Sequence, residues 1–134
     1  QNKRERMSKS YSHLISKYQN YIYGHFPSRN IKCAWYRFYF FLKTDVKDYQ
    51  KIRFKIIKNL KRNNLKCFTG SCPEIYLEKS FKKLKNFKVT RLINSKILGQ
   101  TSIALDINHT LTYTKHKKNV IELKLVLDRI FQKK

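Results

Sequence analysis

The sequence predicts a mixed α/β domain in which helices cover a small sheet of three strands. Three observations carry that expectation. The 134 residues are one domain's worth of chain. Hydrophobic residues make up 41% and aromatics 14%, enough to fill a core and too many for a disordered tail, even with charged residues at 29%. Segments with helical and strand spacing follow one another without an internal repeat or a low-complexity linker, so helices and sheet are expected to pack as layers of one unit spanning residues 1–134.

The first helix is predicted over residues 3–20, where Met7, Tyr11, Leu14, Ile15 and Tyr18 recur on one face. The chain opens inside this helix with neither a cap nor an initiator Met, which predicts a fragment. "YGHFPSRN" is a loop, broken by Gly24 and Pro27. "IKCAWYRFYFFLK", residues 31–43, is the clearest strand, being aromatic and β-branched over a strand's length. Cys33, Trp35, Tyr39 and Phe41 alternate with Ala34, Tyr36, Phe38 and Phe40, so both faces are apolar and both are expected to be covered, with Arg37 the one interruption.

Residues 44–66 read as an amphipathic helix capped by Thr44 or Asp45, with Tyr49, Ile52, Ile56, Ile57 and Leu60 buried and Asn63 and Asn64 at its end. "LKCF" returns as a short strand, and "EIYLEKSFKKL" and "KVTRLINSKILG" are two helices, the second stopped by Gly99. "TSIALDI" is the third strand and "NHTLTYT" a loop. The closing helix starts at Lys115 and turns Val120, Leu123, Leu127, Ile130 and Phe131 toward the core.

Charge and cysteines narrow the function classes. The formal net charge of +23 invites a nucleic-acid partner, whose affinity rests on phosphate neutralisation. The basic residues are nevertheless spread along the whole chain, and richness in Lys, Asn and Ile is what a genome biased toward A and T produces on any solvated surface. A stand-alone basic module for nucleic acid is therefore the alternative reading, with Lys82, Lys83, Lys85 and Lys88 as its candidate contacts. The longest apolar run, "YFFL", is far short of a bilayer span, and "QNKRERMSK" is followed by no hydrophobic leader segment. Cys33, Cys67 and Cys72 are an odd set without a secretory signal, which argues against a disulfide framework and for a reducing, cytoplasmic setting.

Cys67 and Cys72 are spaced C-x-x-x-x-C, and His109 and His116 are not spaced as a finger pair, so no zinc site is expected. The thioredoxin-type C-x-x-C is absent. A Cys nucleophile needs a nearby base; His25, His109 or His116 are candidates in space, and nothing local to the cysteines supplies one. Cys67 reads as a small buried strand residue. Neither G-x-G-x-x-G nor G-x-x-x-x-G-K occurs.

Three stretches carry a resemblance. "AWYRFYFFL" resembles the tryptophan-tyrosine strand of the DegT/DnrJ/StrS-type sugar aminotransferases. "CFTGSCPEIYLEKSF" is similar to that family's C-F-x-G-S-C-x-E-I-Y-x-E-K-x-F segment, with all eleven fixed positions in register, and "LGQTSIALDINHTLT" resembles its L-G-x-T-S-L-x-x-x-x-H-P-T-L segment. "NKRERMSKSYSHL" suits the helix leading into the family's small domain, so the similarity covers nearly the whole chain.

The resemblance implies the C-terminal small domain of a fold-type I aminotransferase, with an antiparallel order for its small sheet. Such enzymes use pyridoxal phosphate (PLP), act on nucleotide-linked keto sugars for polysaccharide or amino-sugar biosynthesis, and work as homodimers. Their Schiff-base lysine and the acid facing the pyridine nitrogen lie in a large domain that this chain lacks, so the chain by itself holds no catalytic or cofactor-binding residue and is not expected to transaminate alone. In the family, the turn formed here by Thr69, Gly70, Ser71 and Cys72 faces the cleft between domains, and a histidine stands at the Cys72 position in some members. The resemblance thus implies substrate-side contacts by Ser71, Cys72 and Glu74, with Gly70 serving turn geometry and Tyr76 packing. His109 joins them as the histidine nearest the family's H-P-T-L. Here that motif reads "NHTL", with Asn108 at the histidine position and His109 at the proline position, and Asp106 stands where the family is apolar.

Overall fold

The structure is a computed structural model that describes residues 2–24, 26–28, 30–70, 72–83 and 90–132. Helix α1 (Asn2–Ser16) leads into the short strand β1 (Ile22–Tyr23) and then β2 (Arg37–Leu42). Helix α2 (Tyr49–Arg62) and strand β3 (Cys67–Phe68) follow, then a 3-10 turn at Ile75–Leu77 and the one-turn helix α3 (Lys79–Lys82). Helix α4 (Ile93–Thr101) runs directly into β4 (Ser102–Asp106), and α5 (Tyr113–Phe131) closes the chain. The sheet has four strands in the order β1-β2-β4-β3, and every pair is antiparallel. The antiparallel order agrees with the expectation. The count of three strands does not, because Ile22–Tyr23 adds a two-residue pairing to the edge of β2, too short to show a period of its own.

Register explains the core. Residues paired across antiparallel strands share a face. Ile22 pairs Leu42, Phe40 pairs Ile103, and Phe38 pairs Leu105, which in turn pairs Cys67. All of these are buried, most of them completely, and they meet Met7, Tyr11, Leu14 and Ile15 of α1, Ile56, Ile57 and Leu60 of α2, and Leu123, Val126 and Leu127 of α5. Cys67 is the small buried strand residue it was expected to be. The other face carries Arg37, Tyr39, Phe41, Tyr23 and Phe68, with Ala104 and Ser102 between them. Arg37, Tyr39 and Phe41 are only half-buried, so β2 is deeply covered on one side and not on both. Its rings stack in a row, Tyr39 on Phe41 and Phe41 on Tyr23 at 5.3 Å, and the Arg37 guanidinium lies 4.3 Å from the centroid of Phe68.

Several boundaries move for local reasons. β2 begins at Arg37 and not at Ile31, because Trp35 takes a left-handed backbone (φ 49°) and turns the chain out of the sheet; its indole still stacks over Phe38. α2 begins at Tyr49, not at Thr44, because residues 43–47 close into turns and Asp48 is left-handed (φ 56°) without a side-chain cap bond. The segment "EIYLEKSFKKL" splits into the 3-10 turn and α3 because Glu78 is extended (ψ 150°). Gly99 does not end α4: it lies inside the helix, where a Cβ would stand 2.2 Å from Cγ of Pro73. The glycine there is a close approach between helix and turn, not a stop. α5 starts at Tyr113, capped by the Thr112 hydroxyl, which accepts from the Lys115 amide.

Candidate functional site

The turn after β3 is built by one arginine. Arg53 follows the buried spacing of α2, one turn before Ile56 and Ile57, and is only 6% exposed. Its Nε donates to the Ser102 carbonyl and a terminal nitrogen donates to the Thr69 carbonyl, both at 2.8 Å. The Ser102 hydroxyl donates to that same Thr69 oxygen at 2.7 Å. Helix α2, the end of β3 and the start of β4 are thereby tied at one point. Burial pulls the Arg53 pKa below its ordinary value, without threatening a charge that guanidinium groups keep in proteins. Gly70 follows with φ 91°, and a Cβ on it would stand 2.9 Å from the Ser102 hydroxyl. A left-handed turn packed against Ser102 needs glycine, as the reading of Gly70 as a turn residue expects.

Beyond the turn, polar contacts hold the segment to α4. The Tyr76 hydroxyl donates to Glu74 Oε1 at 2.9 Å and accepts from the Leu92 amide at 2.9 Å. Arg91 Nε donates to the same Glu74 oxygen at 3.1 Å, and this bond holds the Glu74 carboxyl below the usual carboxylate range. Glu74 is therefore an anchor whose Oε1 is already engaged by Tyr76 and Arg91. Cys72 donates its thiol to Glu78 Oε1 at 3.1 Å, a bond that raises the thiol pKa and keeps it protonated. That is the opposite of what an activated thiolate requires. Tyr76, half-buried in this network, packs as expected and in addition bridges the turn to α4.

The predicted site residues do not form one cluster. Cys72 and Glu74 share the turn and are joined to Glu78, Tyr76 and Arg91. Ser71 lies outside the described residues, as do His25, Lys85 and Lys88 among the residues weighed above. His109 sits beyond the far end of β4 from Ser102, with about 14 Å of strand between. There its carbonyl accepts from Lys3 Nζ at 2.7 Å and its Nδ1 lies 3.3 Å from an Arg4 nitrogen, so it seats the N-terminus of α1. Asn108 accepts the Thr110 amide on its side chain at 3.0 Å, an Asx turn that makes asparagine suitable at that position on local grounds. His116, on α5, is buried at 4% exposure with its ring edge-on to Tyr11, 4.9 Å between centroids, and neither ring nitrogen has a hydrogen-bond partner among the described residues. Among the described residues no three of His, Cys, Asp and Glu gather as a metal-ligand set.

Arg53 and Arg91 are the residues that the sequence reading missed. A charge placed on the apolar stripe of α2 is the signal for Arg53, since buried arginines are paired ones. Arg91 has no such signal: it reaches Glu74 from 17 residues away.

Neither a protein-family model nor a curated protein matches the chain. Solved structures do. An aminotransferase from Psychrobacter cryohalolentis superposes with a TM-score of 0.83 and 26% identity, over 96% of this chain and 34% of that one. The aminotransferase TlmJ from Streptoalloteichus hindustanus gives 0.77 at 11% identity, over 96% and 32% of the two chains. A DegT DnrJ EryC1 StrS aminotransferase from Brucella abortus gives 0.69 at 13% identity, over 92% and 30%. The chain thus spans about a third of the length of the aminotransferases it matches. No helix among the described residues is long and apolar enough to cross a membrane. The three sequence motifs and the superpositions agree: in fold, this chain is the counterpart of a third of a DegT/DnrJ/EryC1/StrS-type aminotransferase.

Proposed function

We propose that this chain is the C-terminal small domain of a PLP-dependent aminotransferase acting on nucleotide-linked keto sugars, and that it completes an active site whose catalytic groups lie on a large domain, in cis or on a separate chain. The observation that supports it best is the match over 96% of this chain to 34% of an aminotransferase at 26% identity. A Schiff-base lysine is held in a desolvated pocket, and none of the lysines whose burial is described fits that role: Lys43 and Lys96 are half-exposed and the others lie in solvent. PLP when bound supplies the electron sink for amino transfer, and this chain contributes no step through it.

What the chain contributes is a shaped edge. Thr69, Gly70 and Cys72 form a turn fixed by Arg53, followed by Glu74, whose charge Arg91 stabilises. Ser71, Cys72 and Glu74 are the proposed substrate-side contacts, and His109 is retained only by its motif position, being placed at the other end of β4. Beside the turn stand Ile75 (59% exposed), Leu92 (54%) and Ile93 (70%), a set of apolar side chains that a docked large domain would cover. The paired subunit of a family homodimer is proposed on the same footing.

An antibody raised against the chain tests this on the native product. A band near three times 16.3 kDa is expected. A band at 16.3 kDa, together with failure of the chain to restore transamination to a large-domain piece of the Psychrobacter enzyme, overturns it.

A further inference from the structure

Helix α2 is more basic than the chain average. Six of its 14 residues are Lys or Arg, against 31 of 134 overall, and it holds no acidic residue. Arg53 points inward to the turn. Lys51, Lys55, Lys58 and Arg62 follow one another at spacings of four, three and four, which sets them in a single line on the side of the helix opposite Ile56 and Leu60. All four are exposed, and the line runs about 16 Å along the axis. Solvated helix faces ordinarily interleave acids with bases one turn apart. α1 and α5 do so, with Glu5 bonded to Lys9 and Lys124 to Asp128. On α2 the i,i+4 pairs Lys51–Lys55 and Lys58–Arg62 repel; Asp48 is bonded to Lys51 at the N-terminal end, and Glu122 of α5 meets Asn63 just past the C-terminal end.

An aromatic ring stands within this cationic face. Phe54 is 60% exposed, and Lys51 and Lys58 are its neighbours three residues back and four residues on. The Arg53 guanidinium lies 5.7 Å from its centroid. An exposed ring among cations is a stacking platform for an unpaired base, with phosphates neutralised on either side. A lipid surface fits less well, because the apolar stripe that a membrane-lying helix needs is already buried in the core, leaving Phe54 alone.

We propose that the solvent face of α2 binds single-stranded nucleic acid, with Lys51, Lys55, Lys58 and Arg62 on the phosphates and Phe54 against a base. The four cations lie across the helix from the Thr69 turn, with the Arg53 guanidinium both bonded to that turn and 5.7 Å from the Phe54 centroid, so the proposal stands apart from the aminotransferase reading. The test is fluorescence anisotropy of a labelled single-stranded oligonucleotide with the full 134-residue chain, from about 50 to about 200 mM salt. Four phosphate contacts give a log–log salt slope of about −2.8, and Lys55→Gln with Lys58→Gln flattens it by about 1.4. Phe54→Ala weakens binding about fivefold or more with little change of slope. All three positions are on the surface, so circular dichroism should show the fold unchanged. Three results overturn the proposal. One is no binding at about 50 mM salt. Another is equal flattening by Lys115→Gln with Lys117→Gln on α5, which marks diffuse charge. The third is binding to phosphatidylserine vesicles in preference to the oligonucleotide.

Discussion

The two sides of this domain are held together by different forces. Where α1, α2 and α5 meet the sheet, Tyr11, Phe38, Phe40, Leu42, Ile103 and Leu123 have no solvent exposure at all, and the contacts are almost entirely apolar. Where the β3 turn meets α4, apolar side chains such as Ile75, Leu92 and Ile93 stay in solvent. That edge is held by Arg53 on two carbonyls, by the Ser102 hydroxyl, by Glu74 between Tyr76 and Arg91, and by Pro73 against Gly99. The first region is stabilised by removing area from water, which is non-directional and forgiving of small shifts. The second depends on directed bonds at fixed points, which set a shape with little area buried. An edge of that kind keeps apolar side chains in solvent.

The largest effect is expected in the apolar half. Phe40→Ala removes a completely buried ring from the middle of β2 and should destabilise the chain by about 3–5 kcal/mol. Against total stabilities of about 5–15 kcal/mol that is a large fraction, and amide protection should fall throughout β2 and β4 together. A loss confined to the β3 turn would erase the distinction between the two halves.

A smaller and more local effect is expected at the polar edge. Arg53→Met keeps the volume but strips the Thr69 and Ser102 carbonyls of their charged donor, at a cost of about 2–3 kcal/mol. Hydrogen exchange should quicken at residues 69–72 while β2 stays protected. Arg53→Lys should recover part of the loss, since an ammonium reaches one carbonyl but lacks the fork that serves both. Uniform loss of protection after Arg53→Met would mean that the edge and the core unfold as one unit.

The smallest effect concerns pH. Burial pulls His116 below its ordinary pKa. The unfolded chain, with a histidine near 6.5, then binds more protons than the folded one in mildly acidic solution. The stability due to neutral burial is fully present above that value and declines as pH falls through it toward the lower folded pKa. Phe at position 116 preserves the ring packed on Tyr11 and removes the titration, so denaturant midpoints of His116→Phe should be flatter than those of the parent between about pH 7.5 and 5.5. Identical slopes in the two proteins would assign the acid sensitivity elsewhere. Glu74 and Asp128, both lowered by charged partners, act in a separate and more acidic window, where protonation removes their bonds to Arg91 and Lys124.

Much of this was legible in the residues alone. Met7, Tyr11, Leu14 and Ile15 are buried on α1, and Tyr18 is buried in the turn after it, because the helix predicted to residue 20 ends at Ser16; Ile56, Ile57 and Leu60 line α2, and Leu123 and Leu127 line α5, because helical periodicity records the direction of the core without reference to its contents. Tyr49 and Ile52, expected to be buried, are only partly so, and Val120, Ile130 and Phe131 likewise pack against the core without entering it. The motif around Cys67 and Cys72 was legible for another reason: a dense local pattern carries a resemblance that pairwise identity of 26% or less across the chain only dilutes.

What the chain could not disclose alone depends on contacts between residues far apart. The left-handed backbones at Trp35 and Asp48 set where β2 and α2 begin, and nothing in the local propensities of either segment requires them. Gly99 reads as a helix stop until Pro73, 26 positions earlier, is brought against it. Nothing local in the sequence shows that the Cys72 thiol donates to the Glu78 carboxylate, six residues on. His109 reads as a companion of the β3 turn until the length of β4 separates them. By itself the sequence determined the apolar faces, the order of the main elements and the family likeness, because these follow from spacing along the chain. The tertiary structure decided which charges are buried, which glycine is needed for close approach and which site residues meet, because burial, hydrogen bonding and distance are set by the packing of segments on one another.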